Sequence, residues 1–172
     1  MAESVIIVPV LSAEAVVGKW RKKYDPVALH GIPAHVTLLY PFLNPQYLTS
    51  DILDKLGDIF FKVHKFSFTL SRIDTFPGVV YLEPSPRENF VRITGELVKN
   101  FPANPAYGGK YPEIHPHLTL AQLTNNSDTG KVEAEIAADI LSKLPLTAVA
   151  EEVWLMVKEN VQWTLKREFS FL

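Results

Sequence analysis

Apolar positions change their spacing along the chain, and each change marks an element. Val5 to Leu11 is a short, nearly unbroken run rich in β-branched residues, which predicts a buried strand. A helix is predicted from Ala13 to about Tyr24. Ser12 is placed to cap it, Glu14 suits its positive end, and Pro26 stops it. A second strand runs from His35 to Tyr40, after Gly31 and Pro33. Thr49, Ser50 and Asp51 offer capping oxygens to a helix in which Ile52, Leu56, Ile59, Phe60 and Val63 recur at helical spacing. From Phe66 to Ile73 the period falls to two, with Phe66, Phe68 and Leu70 alternating against Ser67, Thr69 and Ser71. Pro77-Gly78 then signals a turn.

After that turn the order repeats. Val79 to Leu82 reads as a strand. Pro86 can open a helix whose buried stripe is Phe90, Ile93 and Leu97. His117 to Leu123 is a strand, and Ser127 or Asp128 can cap a helix carrying Val132, Ile136 and Ile140. Leu146 to Val157 and Val161 to Phe171 close the chain as two strands around a turn at Glu159-Asn160. Five elements followed by the same five and one extra strand predict a duplicated α+β architecture, its two lobes facing a shared cleft. No linker-like stretch separates the halves, so residues 1–172 are expected to form one domain.

The repeat extends to residues. His35-Val36-Thr37-Leu38 and His117-Leu118-Thr119-Leu120 occupy the third element of each half. The chain has 10 Thr, 20 Leu and 5 His, so two such matches arise by chance on the order of one time in two thousand. On a strand, residues i and i+2 share a face roughly 6–7 Å apart, so each His lies beside its Thr, with the Leu opposite. Two such strands across a cleft bring together two imidazoles and two hydroxyls. One imidazole can accept a proton while the other, charged, donates one, and the hydroxyls can grip phosphate oxygens. That set suffices for in-line displacement at phosphorus without a metal or other cofactor.

The 17 basic and 19 acidic residues are nearly balanced and form no basic stripe; the densest basic cluster is Lys19, Arg21, Lys22 and Lys23. A small cyclic nucleotide or an RNA end is therefore a better expected partner than a long duplex. There is no cysteine, which excludes disulfides, thiolate nucleophiles and zinc–thiolate sites. The N-terminus lacks the pattern of a secretory signal, and no apolar run reaches the roughly 18 residues that would span a membrane. A cytoplasmic monomer is expected.

The two motifs make the chain resemble the two-histidine phosphoesterase superfamily, in its 2′,5′-RNA-ligase-like, cyclic phosphodiesterase branch. That family carries two His-x-Thr/Ser-x motifs, with x apolar, about half a chain apart. Pro33 to Phe42 and His115 to Leu120 carry the likeness most strongly, and Val79 to Pro84 resembles the family's central strand. The resemblance implies a bilobal fold of antiparallel sheets around a cleft. It also implies action on 2′,3′-cyclic nucleotide phosphates, other cyclic nucleotide phosphates or 2′,5′ linkages. His35 and His117 would be catalytic, and Thr37 and Thr119 would bind substrate.

Further residues join as substrate-binding candidates. His115 shares the parity of His117 and could be its partner or a phosphate donor. Lys110 and Tyr111, after Gly108-Gly109, could meet a phosphate and a base. Tyr81 is a cleft aromatic by resemblance alone. Tyr40 has the parity of Leu38 and is expected to face away from the cleft. His115, His117 and His35 could also be read as a metal set, but the paired threonines would then have no explanation. A nucleotide- or RNA-end-binding module that keeps the cleft without turnover is the alternative function.

Overall fold

β1 (Glu3–Pro9) is apolar without alternation because both of its faces are covered. Ile6 and Val8 face the main core, while Val5 and Ile7 join a smaller cluster with Ile32, Met156 and Trp163. The computed structural model describes residues 2–172 and shows the other strands to be β2 (His35–Leu39), β3 (Phe66–Phe76), β4 (Val79–Ser85), β5 (Leu118–Gln122), β6 (Leu146–Ala150), β7 (Glu152–Glu159) and β8 (Gln162–Ser170). They form two antiparallel four-stranded sheets, ordered β2-β1-β7-β8 and β5-β4-β3-β6. The helices are α1 (Glu14–Tyr24), the single turn α2 (Pro26–Leu29), α3 (Ser50–Phe60), α4 (Glu88–Asn100) and α5 (Thr129–Ile140). The α+β class and the bilobal arrangement expected from the pattern are what the molecule has.

The lobes are not the two halves of the chain. β3, from the first half, pairs with β4 and β6 in the second sheet, while β7, from the second half, pairs with β1. The helices cross as well: α1 packs on β5, and α4 packs on β2. β2 and β5 are edge strands, they touch each other, and each is backed by a helix from the opposite half. The stretch from Leu146 to Val157 is two strands rather than one. Its break at Glu151 carries the chain from one sheet to the other.

Local signals account for most element ends. Thr49 caps α3, its hydroxyl accepting from the Ile52 amide at 3.4 Å, and Leu56 and Phe60 are its buried positions. Ser12 makes no capping bond, because a 3-10 turn at Leu11–Ala13 leads directly into α1. Pro26 does end α1, and it then opens α2, where Asp25 accepts from the Val27 amide. α4 buries Phe90, Ile93 and Leu97 as its stripe predicts, and α5 buries Val132, Ile136 and Ile140. Each such side chain contributes about 1.5–3 kcal/mol by leaving water. No helix among the described residues is long and apolar enough to cross a membrane.

Candidate active site

Both motifs carry the same irregularity. Opposite β1, Thr37 pairs with Ile7 and Leu39 with Ile6, leaving Leu38 as an extra residue. Opposite β4, Thr119 pairs with Tyr81 and Ala121 with Val80, leaving Leu120 extra. The fourth residue of each motif is thus the extra residue of a β-bulge. A bulge turns two successive side chains to one side, and Leu38, Leu39, Leu120 and Ala121 are all buried. Side-chain parity shifts by one beyond it. Tyr40 and Gln122 therefore return to the cleft, which overturns the expectation that Tyr40 faces away. On α4, the buried Thr94 hydroxyl donates to the Leu38 carbonyl at 2.8 Å and so satisfies the backbone at the first bulge.

The cleft is a cavity of about 800 Å³, with His35, Thr37, His117 and Thr119 on its wall. Each imidazole is oriented in the same way: Nδ1 of His35 donates to the Pro33 carbonyl and Nδ1 of His117 to the His115 carbonyl, both at 2.7 Å. A carbonyl can only accept, so Nδ1 carries the proton and Nε2 keeps its lone pair. Burial holds both rings toward the neutral form. His35 is pushed down to about 3, first by burial and then by the Arg21 guanidinium, with His117 adding to the effect. His117 is also lowered, by burial and by the neighbouring His115. The protein surroundings therefore hold neither imidazole in its charged form.

Lys110 and Tyr111 also line the cavity, in a loop that folds back on the first motif. Tyr107 anchors this loop. Its amide donates to the Tyr40 carbonyl at 2.6 Å, and its hydroxyl sits beside Thr37. Burial pushes that hydroxyl up to about 12, so it stays a proton donor. The turn runs through Tyr107, Gly108 and Gly109 at positive φ, which two glycines make inexpensive. Lys110 lies over the Tyr111 ring and makes no ion pair among the described residues. Val5, Val27, Ile32 and Trp163 make part of the lining apolar. Tyr40, Glu3 and Lys158 also line the cavity, Glu3 accepting from the other two at 2.6 and 2.8 Å.

His115 reaches the cavity, and its ring stands near Glu83 (Nε2 to Oε1 3.7 Å) and the Tyr81 hydroxyl (3.2 Å). Tyr81 is a correction. It shares the cleft face with Thr119, but Phe76 stacks on it at 4.4 Å, and His115 and His117 pack against it. At 2% exposure it does not line the cavity and has no surface to offer a substrate. Among the described residues no three His, Asp or Glu side chains form a metal-holding group, so His35, His115 and His117 do not make one. Tyr107, Trp163, Phe76 and Gln122 line the cavity without having been singled out in the sequence. For Tyr107 a signal was present, an aromatic beside the Gly-Gly turn that holds Lys110.

The fold is that of LigT. The Escherichia coli LigT structure with 3′-AMP superposes with a TM-score of 0.62 at 14% identity, covering 98% of this chain and 97% of that one. TT0787 of Thermus thermophilus superposes equally well, at 0.62 and 17% identity, with the same coverage. A Bacillus pumilus protein carrying a phosphoesterase name is 25% identical over 98% of this chain and 96% of its own length. A Bacillus anthracis protein of the same naming is 28% identical over 87% of this chain and 84% of its own. The sequence profile of the 2′-5′ RNA ligase superfamily matches residues 8–162, and the chain belongs to that family.

Proposed function

We propose that this protein is a metal-independent phosphoesterase that acts on 2′,3′-cyclic nucleotide phosphates or on RNA 2′,5′-phosphodiester linkages. The observation that carries the reading is the duplicated presentation of two Nδ1-anchored imidazoles, each with a threonine hydroxyl, on one cavity wall. One Nε2 takes the proton of the attacking water or ribose hydroxyl. The other, protonated as the anion binds, gives its proton to the leaving oxygen. The hydroxyls of Thr37, Thr119 and Tyr107 donate to the non-bridging oxygens, where charge builds up. Lys110 adds a cation at the loop, and Tyr111 a face for a base.

The size of the cavity fits a nucleotide around the phosphate. LigT has been crystallised with phosphate, ATP and NADP+ as well as 3′-AMP, which supports nucleotide phosphates as the ligand class. The test is hydrolysis of 2′,3′-cyclic AMP and of 2′,5′- against 3′,5′-linked dinucleotides, with EDTA present. Turnover that persists in EDTA and vanishes in His35→Ala and His117→Ala supports the reading. A wild type that binds these compounds without converting any of them leaves a nucleotide-binding module, and full loss in EDTA overturns metal independence.

A further inference from the structure

Arg21 and Asp25 are paired side chains at 1% exposure, and the acid–base chemistry above uses neither. Burial pushes the Asp25 carboxyl up, and the Arg21 guanidinium beside it opposes that. Arg21 donates from Nη2 and Nε to Asp25 Oδ2 at 2.8 and 3.2 Å, and from Nη1 to the Ile32 carbonyl at 3.2 Å. Glu14 lies 3.7 Å from the same guanidinium and accepts a hydrogen bond from the Ala34 amide. The Ala34 carbonyl in turn accepts from the Val10 amide at 2.7 Å. The network thus joins α1 to the three residues immediately before His35. The Pro33 carbonyl, in the middle of that segment, is the acceptor that orients the His35 ring.

A buried ion pair is a poor device for stability alone, because its desolvation offsets its attraction and an apolar pair of the same volume would hold the helix as well. Its directional bonds therefore point to geometry. Among the described residues no buried ion pair backs the second motif, where Ile114 and Pro116 flank His115 and the ring of His117 rests on Phe76 and Tyr81.

We infer that Arg21 is a positioning residue for His35, clamping Ile32–Ala34 so that the Pro33 carbonyl holds the imidazole with its Nε2 toward the cavity. The titratable groups around His35 are Arg21, Asp25 and Glu14 of the α1 region, His117 of the second motif and Tyr107 of the loop. Of these, Arg21 does most after burial itself to keep the ring neutral. The clamp therefore also keeps His35 able to accept a proton.

The inference rests on the catalytic reading of His35 for its kinetic part only. Arg21→Lys keeps the charge and loses the planar fork. It should lower kcat on 2′,3′-cyclic AMP by roughly 10–100-fold with KM nearly unchanged, the expected cost of a misaligned reactive group. Arg21→Met combined with Asp25→Asn removes both charges together. With the cation gone, the His35 titration, followed by NMR on the imidazole, should move up in pH toward the ordinary value. Thr94→Val, which strips the bond to the Leu38 carbonyl on the same strand, should lower the unfolding midpoint and leave that titration in place. A folded double variant with an unmoved His35 titration, or a folded Arg21→Lys protein with wild-type kcat, overturns the inference. The titration needs no substrate. A shift in a protein without turnover would keep the clamp and retire the phosphoesterase reading, whereas turnover with no shift retires the clamp alone.

Discussion

The two motifs share a geometry and differ in what stands behind them. Each has an edge strand, a bulge at its leucine, an imidazole held by the carbonyl two residues earlier, and a threonine beside it. The segment before His35 is held by a buried guanidinium, and its Ile32 packs in the apolar cluster with Ile7 and Trp163. Behind His117 lie Tyr81, Phe76 and His115, with Glu83 close to the His115 ring. The comparison teaches that duplication reproduced the backbone device and left the electrostatics free to diverge. A repeated fold can present two chemically identical groups in different fields, which is what an acid and a base require.

The largest expected effect breaks both sites at once. His35→Ala and His117→Ala should each cut turnover by roughly 10²–10⁴-fold, and the double variant should be barely worse, since both act on one transition state. Strictly additive losses in steady-state rates would show that the two histidines do not work as a unit. The threonines should then separate the sites. Thr119→Ala should lower kcat by up to roughly 10²–10³-fold, the range for a lost oxyanion donor. Thr37→Ala should cost less, because the Tyr107 hydroxyl shares its space. Equal losses, or a larger one at Thr37, would remove Tyr107 from the site.

Tyr81→Phe should act on the second motif only. It keeps the ring under His117 and removes the hydroxyl beside His115. Turnover should fall by less than roughly tenfold, below the range for a lost acid or base. The NMR titration of His117 should change and that of His35 should not. A further effect concerns stability. The unfolded chain takes up a proton on His35 near 6.5, whereas the folded chain resists it until about 3. Between those values the unfolded state binds more protons, so stability should fall as pH drops through that window. In thermal melts between pH 7 and 4, His35→Gln should flatten this decline, and inorganic phosphate, by favouring the charged ring, should oppose it in the wild type.

The sequence displayed the convergence of the four motif residues on one cavity better than their surroundings. His35, Thr37, His117 and Thr119 were readable because i and i+2 share a face on any strand, whatever the strand pairs with. Tyr40 was misplaced because a bulge is a property of cross-strand register, which a single strand does not display. Arg21 read only as one member of the densest basic cluster. Its helical (i, i+4) partner Asp25, beside the helix-ending Pro26, was the available hint that it turns inward. The break at Glu151 left only a doubled acid, Glu151-Glu152, inside a β-rich run, and two polar residues do not say which sheet follows. The pattern of lobes was legible while the exchange of β3, β7 and two helices was not. Pairing partners far apart in the chain are chosen by the summed fit of faces rather than by local residues.

The pairing of β1 with β7 also sets when the cavity comes into being during synthesis. Glu3 meets Lys158 across a separation of 155 residues. β1 has no partner on its β7 side, and the apolar part of the cavity lining has no Trp163, until that distant segment has emerged. A nascent chain can display His35-Val36-Thr37-Leu38 and even the second motif without enclosing a nucleotide-sized space. Contacts of such long range form late in folding.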